Sequence, residues 1–423
     1  MSEVPPGGFN LTLETAPFLD MTKLRVCWQV VSVNPYHSAR MTAFAHELQV
    51  PPVFLELTDK DTFQPLEHPG AVGEAYGRRT LFAGRQYSGL SSLAIRRSIR
   101  NSISNLKPGV VCLNGWGMRG SIETLKECLR LGIPTVLMSE STTGDKPRAQ
   151  WREKIKRRIV RTCSAALVGG RPHVEYVSAL GIPRDRIFMG YNVVDNQHFW
   201  QGTIDAHANE QVIRKSLELP NNYFLACSRF GEKKNLFRLM KAYSAYKLAM
   251  GRKAWKLIVL GDGELKNQLF SARSHLALSE DVIFPGFKHY DELPMYYAFA
   301  GAFVHASTSE PWGLVVNEAM AASLPVLVSN RCGCAPELVR DGQNGWTFDP
   351  IDVEALTNLL IRMSESTIVE RLSMGRASRE IIGGWTPHTF ANSLRLAIQA
   401  AIAAPPPTLD PIDRALLCFL GLL

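Results

Sequence analysis

The chain has 423 residues, enough for two domains or at most three, each with its own core. A hydrophobic share of 46%, a charged share of 20%, 32 Gly and 25 Pro exclude disordered and collagen-like chains. The 47 Lys plus Arg outnumber the 39 Asp plus Glu, and the net charge of +8 favours anionic partners: phosphorylated small molecules, acidic lipids or nucleic acid.

The first 20 residues lack a basic n-region and an apolar h-region, and no apolar run reaches the length of about 18 residues that a membrane span needs. The expected location is the cytoplasm, with peripheral contact on the inner face of the membrane left open. Short apolar runs then alternate with longer amphipathic ones, the pattern of parallel strands joined by crossover helices. Strands are expected within 24–33, 53–57, 110–115, 134–140, 165–170 and 187–192. A second series follows within 223–229, 256–263, 282–287, 301–307 and 325–330. Residues 195–220 are polar and helix-compatible and mark the boundary. The expected organisation is a tail (1–20), a Rossmann-like α/β domain (21–205), a second one (206–387), and a C-terminal helix and tail (388–423). Open α/β sheets bind ligands at the carboxyl ends of their strands, which places the site in the cleft between the domains. The eight cysteines are scattered and read as structural thiols.

No glycine-rich turn follows the first strand, which runs into Asn34-Pro35-Tyr36-His37, so a dinucleotide site is not expected there. A P-loop is absent too. Asp59-Lys60-Asp61 could hold a divalent cation on a sugar nucleotide, yet a solvated turn is the simpler account. Neither a metal nor a cofactor is expected.

The informative stretch is HASTSEPWGLVVNEAMAASLPVLVSN, 305–330. Glu310 stands in a strand-end loop and Glu318 in an Ala-rich helix opened by Trp312-Gly313-Leu314-Val315. Gly313 permits close backbone approach, and the free amides at the helix start suit a diphosphate. Two acceptor-only carboxylates beside it could each hold a pair of hydroxyls, one on a sugar and one on a ribose. Upstream, SRFGEKKN (228–235) sets Arg229 and Lys234 at a strand end, where two cations can neutralise a diphosphate leaving group. Lys233 competes for the same role.

With Cys334-Ala335-Pro336-Glu337-Leu338-Val339 and Asp341-Gly342-Gln343-Asn344-Gly345, this string resembles the signature of retaining glycosyltransferases of the glycosyltransferase family 4 type. The resemblance covers about 165–350 and implies two facing Rossmann-like domains (GT-B). It implies a nucleoside diphosphate sugar donor held by Arg229, Lys234, Glu310 and Glu318, with Trp312, Gly313, Leu314 and Val315 at the helix start. Gly261 in VLGDGEL matches the family's order, and Phe287 and Lys288 in FPGFKHYDEL lie where the base is held. GYNVVDNQHF (190–199) resembles the loop that closes the first domain. The acceptor side departs from the family: its glycine pair, His-x-His and active-site His are replaced. Glu140, Tyr36, His37, Asn114 and Trp116 are the candidates there, each also readable as a structural turn.

WREKIKRRIVR (151–161) is a basic amphipathic segment suited to an anionic membrane surface, or to solvent. Nucleic acid is not an expected partner, since no stacking platform or reading helix is recognisable. The sequence reads as a hexosyltransferase-type glycosyltransferase. It would move a sugar from a UDP- or GDP-linked donor to a hydroxyl of a lipid-linked or growing glycan, with retention and without metal. A nucleotide-sugar epimerase and a catalytically idle nucleotide-binding homologue are the alternatives.

Overall fold

The computed structural model describes residues 21–46, 48–60, 75–145 and 148–420. The expectations for residues 1–20 and Asp61 lie outside them. The chain divides into two compact units. One is Met1–Thr143 with Pro147–Val193 and Pro387–Leu423; the other is Val194–Thr386 with Gly144–Lys146. The division falls at 193/194 rather than 205/206, because the helices Asn196–Ala208 and Glu210–Ser216 belong to the second unit. The C-terminal segment is likewise not an appendage of its own: Pro387–Leu423 returns to the first unit.

In the first unit seven parallel strands form one sheet: β1 (Val26–Val30), β2 (Val53–Glu56), β3 (Gly77–Thr80), β4 (Val110–Asn114), β5 (Thr135–Ser139), β6 (Ala165–Val168) and β7 (Ile187–Met189). Their order is β3-β2-β1-β4-β5-β6-β7. Helices cover both faces, which is why the central strands read as unbroken apolar runs. Alternate side chains serve the two faces. Cys27, Leu55, Val111, Leu113, Leu137 and Ala166 pack with Ile95, Ile99, Leu125, Ile159, Val177 and Leu417. On the other face Trp28 stacks on Phe390 of the helix Pro387–Ala403, with ring centroids 5.6 Å apart.

β3, of sequence GRRT, gave no apolar signal, and its pairing is secured by charge. The fully buried Glu56 accepts hydrogen bonds from Arg78 Nε and Nη2 (both 2.8 Å) and from Thr80 Oγ1 (2.7 Å). It also accepts one from Val33 N (2.8 Å), fixing the turn after β1. That turn starts the helix Pro35–Ala45, capped by Asn34, whose Oδ1 accepts from His37 N.

In the second unit six parallel strands, β8 (Tyr223–Cys227), β9 (Lys256–Leu260), β10 (Val282–Gly286), β11 (Ala302–His305), β12 (Val326–Ser329) and β13 (Gly345–Phe348), take the order β10-β9-β8-β11-β12-β13. β13 pairs along the edge with β12 and was also missed by the sequence reading. In each sheet the strand order reverses once, between β1 and β4 and between β8 and β11. Loops diverge at such a point and leave a crevice beyond the strand ends.

Replacing Glu56 removes the buried carboxylate charge that Arg78 and Thr80 share. Glu56→Gln should cost about 3 kcal/mol in urea unfolding of the full chain. A loss below about 0.5 kcal/mol would contradict this account of β3.

Candidate active site

The loop after β8 carries Arg229 and a single 3-10 turn, Glu232–Lys234. Asn235 ends that turn in the left-handed region (φ 60°), a conformation asparagine tolerates better than most residues. Its Nδ2 donates to the carbonyls of Ala306 (3.0 Å) and Pro350 (2.8 Å), and Thr308 N donates to the carbonyl of Lys233 (2.8 Å). These bonds strap the turn after β8 onto the segment after β11, across the switch point. Lys234 Nζ is thereby set on Oε2 of Glu310.

Glu310 is 14% exposed at its side chain. Ser307 Oγ donates to its Oε2 (3.3 Å), and Nε2 of the buried His305 lies 3.3 Å from the same oxygen. Burial alone would raise the carboxyl's pKa, but the hydrogen bond from His305 and the charge of Lys234 outweigh it and hold it at about 2. The His305 imidazole is pushed down by burial, against the pull of Glu310, so it sits neutral beside the carboxylate. The backbone around Glu310 is pinned as well, since Gly333 N donates to its carbonyl (3.0 Å).

Gly313 caps the helix Leu314–Ala321 with φ 107°. That backbone conformation calls for glycine, while a Cβ there would make only ordinary contacts, 3.4 Å to Glu310 Cγ and 3.6 Å to both Cys334 Sγ and His305 Nε2. The helix's hydrogen bonds start with Val316 N donating to the Gly313 carbonyl, which leaves the half-exposed Leu314 and Val315 to present their amides ahead of it. Lys234, Glu310 and a helix start therefore meet in one place.

Other expected donor residues differ. Trp312 is buried, its indole N–H donates to Asn317 Oδ1 (2.9 Å), and its ring lies 5.0 Å from that of Trp385. The indole serves packing, and it is not a surface for a ligand. Glu318 is fully buried and accepts from Tyr297 Oη (2.8 Å), so the ribose role expected for it is not that of an open carboxylate. Arg229 is half exposed, with Nη2 3.5 Å from Glu264. Gly261 (φ 130°) lets the end of β9 approach β8: a Cβ would fall 1.9 Å from the Ser228 carbonyl oxygen. Beyond β10, Phe287 is 38% exposed, and Lys288 lies 3.7 Å from Glu292 and over the ring of Tyr296. Arg229, Gly261, Phe287, Lys288 and Glu310 thus follow the carboxyl ends of four adjacent strands.

In the first unit Tyr36, Asn114, Trp116 and Glu140 follow or end β1, β4 and β5 at the carboxyl edge of that sheet. Asn114 Oδ1 accepts from Tyr191 Oη (2.9 Å), and Glu140 Oε1 accepts from Asn192 Nδ2 (2.6 Å), so the loop after β7 is held by both. Trp116 leans on Tyr176. His37 is buried edge-on against Trp28, and burial, then Arg40, push its imidazole down to about 3. It is a packing residue that stays neutral and cannot supply a proton near neutral pH. Asp59 Oδ1 accepts from Gly84 N (2.7 Å), the turn role expected for it. His305 and Asn235 are two residues to which the sequence motifs assign no role. Both lay inside the quoted motifs, and only a view of contacts across the sheet reveals what they do.

Residues 209–381 match the family described as Glycosyl transferases group 1. The sulfoquinovosyl transferase of Arabidopsis thaliana is 27% identical over 390 residues, covering 87% of this chain and 71% of its own length. The alpha-monoglucosyldiacylglycerol synthase of Acholeplasma laidlawii is 30% identical over 148 residues, 34% of this chain and 36% of that one. The chain is a glycosyltransferase. Its fold is that of solved GT-B enzymes. The Anabaena HepE protein, crystallised with UDP, aligns with a TM-score of 0.67 at 17% identity over 88% of this chain and 98% of that one. The sucrose-phosphate synthase of Thermosynechococcus elongatus aligns at 0.69 and 16% over 88% and 97%.

In this glycosyltransferase the Glu310 carboxyl lies below its ordinary value of 4.5, so its stabilisation is complete above about pH 4.5 and lost as pH falls towards 2. The stability gap between wild type and Glu310→Gln in urea unfolding should therefore shrink from about pH 5 to about pH 3. A gap that widens on acidification would contradict the ion-pair cluster.

Proposed function

We propose that the enzyme transfers a sugar from a UDP- or GDP-linked donor to a hydroxyl of a lipid-linked or growing glycan, with retention at the anomeric carbon and without metal. The observation that carries this reading is the meeting of Lys234, Glu310 and the start of the helix Leu314–Ala321 at the switch point of the second sheet. Breaking the glycosidic bond develops negative charge on the diphosphate and positive charge on the sugar ring. Arg229, Lys234 and the amides of Leu314 and Val315 are the groups that would stabilise the first, the role a divalent cation plays elsewhere. Glu310, held ionised by its neighbours, would orient the sugar ring and face its positive charge. The retaining character and the family 4 assignment rest on the string from His305 to Asn330. A lipid acceptor is supported by the glycolipid named for the Acholeplasma relative.

Glu318 would act through its helix and Tyr297, while Gly261 would let the backbone come close to the donor. Glu140 would meet the donor sugar, and Tyr36, Asn114 and Trp116 would line the acceptor side. The segment 151–161 would face an anionic membrane surface.

The test is a transfer assay with UDP- and GDP-hexoses and membrane extract as acceptor, with and without EDTA. Lys234→Ala and Glu310→Ala should each lower turnover at least about tenfold while unfolding cooperatively, and chelator should leave the wild-type rate unchanged. Near-normal rates in both variants, or release of an altered nucleotide sugar with no acceptor present, would overturn the reading.

A further inference from the structure

The charge of this protein is concentrated. On the face of the first sheet served by Leu113 and Leu137 lie the helices Ser92–Leu106, Arg119–Leu131, Gln150–Val160, Arg171–Ala179 and Pro411–Leu420. Together they carry thirteen Lys and Arg against five Asp and Glu, an excess equal to the +8 of the entire chain. The remainder of the sequence is neutral on balance.

The pairing of those charges is one-sided. Each of the five carboxylates is in an ion pair: Glu123 with Arg96 and Lys126, Glu127 with Arg130, Glu153 with Arg148 and Lys156, Glu175 with Arg184, and Asp413 with Arg158 and Arg161. The exposed Arg97, Arg100, Arg152, Lys154, Arg157 and Arg414 have no ion pair among the described residues. The fully buried Asp413 ties the C-terminal helix to the basic helix Gln150–Val160, and Leu417 seats it in the core. Arg158 and Arg161, two cations of the basic segment, are consumed in that joint.

Apolar exposure follows the same face. Among the described residues of the first unit the large exposed hydrophobics are Leu93 (72%), Met118, Leu131, Trp151 (60%), Ile412 (59%) and Phe419 (59%). All six lie on these helices or at the cap of one. Ile412 and Phe419, seven apart, share one stripe of the C-terminal helix, on the side away from Asp413 and Leu417.

From this coincidence we infer that the helical face is a docking surface for an anionic phospholipid bilayer, with Ile412, Phe419 and Trp151 as the inserting side chains and the unpaired cations as the electrostatic contact. The surface extends the membrane contact proposed for 151–161 to the whole face and assigns the C-terminal helix to it. Its test reads binding and not sugar transfer, so it stands or falls apart from the catalytic reading. The occupant follows from charge complementarity: unpaired cations surrounding apolar side chains match phosphate headgroups above acyl chains. A second copy of the same surface would set like charge against like.

The full chain should co-sediment with phosphatidylcholine vesicles containing phosphatidylglycerol and not with phosphatidylcholine alone, and added salt should weaken the binding. Ile412→Glu with Phe419→Glu, and separately Arg152→Glu with Lys154→Glu and Arg157→Glu, should each weaken binding at least about tenfold. Melting curves would confirm that these surface variants stay folded, and Leu248→Glu, 87% exposed on the second unit, should bind as wild type. Three results would overturn the inference: equal binding to both vesicle types, no binding to either, or a concentration-dependent dimer that the Ile412 and Phe419 changes abolish.

Discussion

The ion pair between Lys234 and Glu310 joins the two halves of the second sheet where its strand order reverses. A lysine after β8 and a glutamate after β11 come from segments 76 residues apart, and they meet because Asn235 and Thr308 fasten the intervening loops. With His305 beneath and Gly313 beside it, the carboxylate stays ionised in a largely buried setting. The arrangement is loaded with opposed charge before any ligand arrives. A diphosphate at the helix start would compete with Glu310 for the ammonium and leave the carboxylate facing the sugar. Such a pre-set field lowers the reorganisation needed when charge develops in the reaction.

Much of this was legible in the sequence where one local pattern decides one local structure. The parallel sheets followed from apolar runs of strand length alternating with amphipathic ones, and Glu310, Gly313 and Lys234 followed from strand ends. What was hidden depends on distant partners. Trp312 looks like a ligand surface until Trp385 covers it, and Glu318 looks like an open carboxylate until Tyr297 meets it. His37 sits on a loop-like string, yet it packs on Trp28 as part of the core. β3 has no apolar pattern because Arg78 is used by Glu56 on the adjacent strand. The domain boundary shifted for a related reason: helical propensity over 195–220 shows that a helix forms and says nothing of which sheet it joins.

The distribution of charge has a similar history. The basic run at 151–161 is visible in the sequence as a block, but the pairing of two of its cations, Arg158 and Arg161, is set by Asp410 and Asp413, some 250 residues away. Residues 387–423 therefore do two things for the first unit. The helix Pro387–Ala403 closes one face of its sheet over Trp28, and the helix Pro411–Leu420 completes the other.

The central claim, that Lys234 and its neighbours bind the diphosphate of a nucleotide donor, is tested most directly by calorimetric titration of wild type and Lys234→Ala with UDP, UMP, GDP and GMP. One diphosphate should bind wild type at least about tenfold more tightly than its monophosphate, and Lys234→Ala should cut that preference several-fold, with Arg229 and the helix-start amides keeping the rest, while leaving the monophosphate affinity intact. Equal affinities for diphosphate and monophosphate in wild type, or a preference that the loss of the lysine leaves unchanged, would contradict the account.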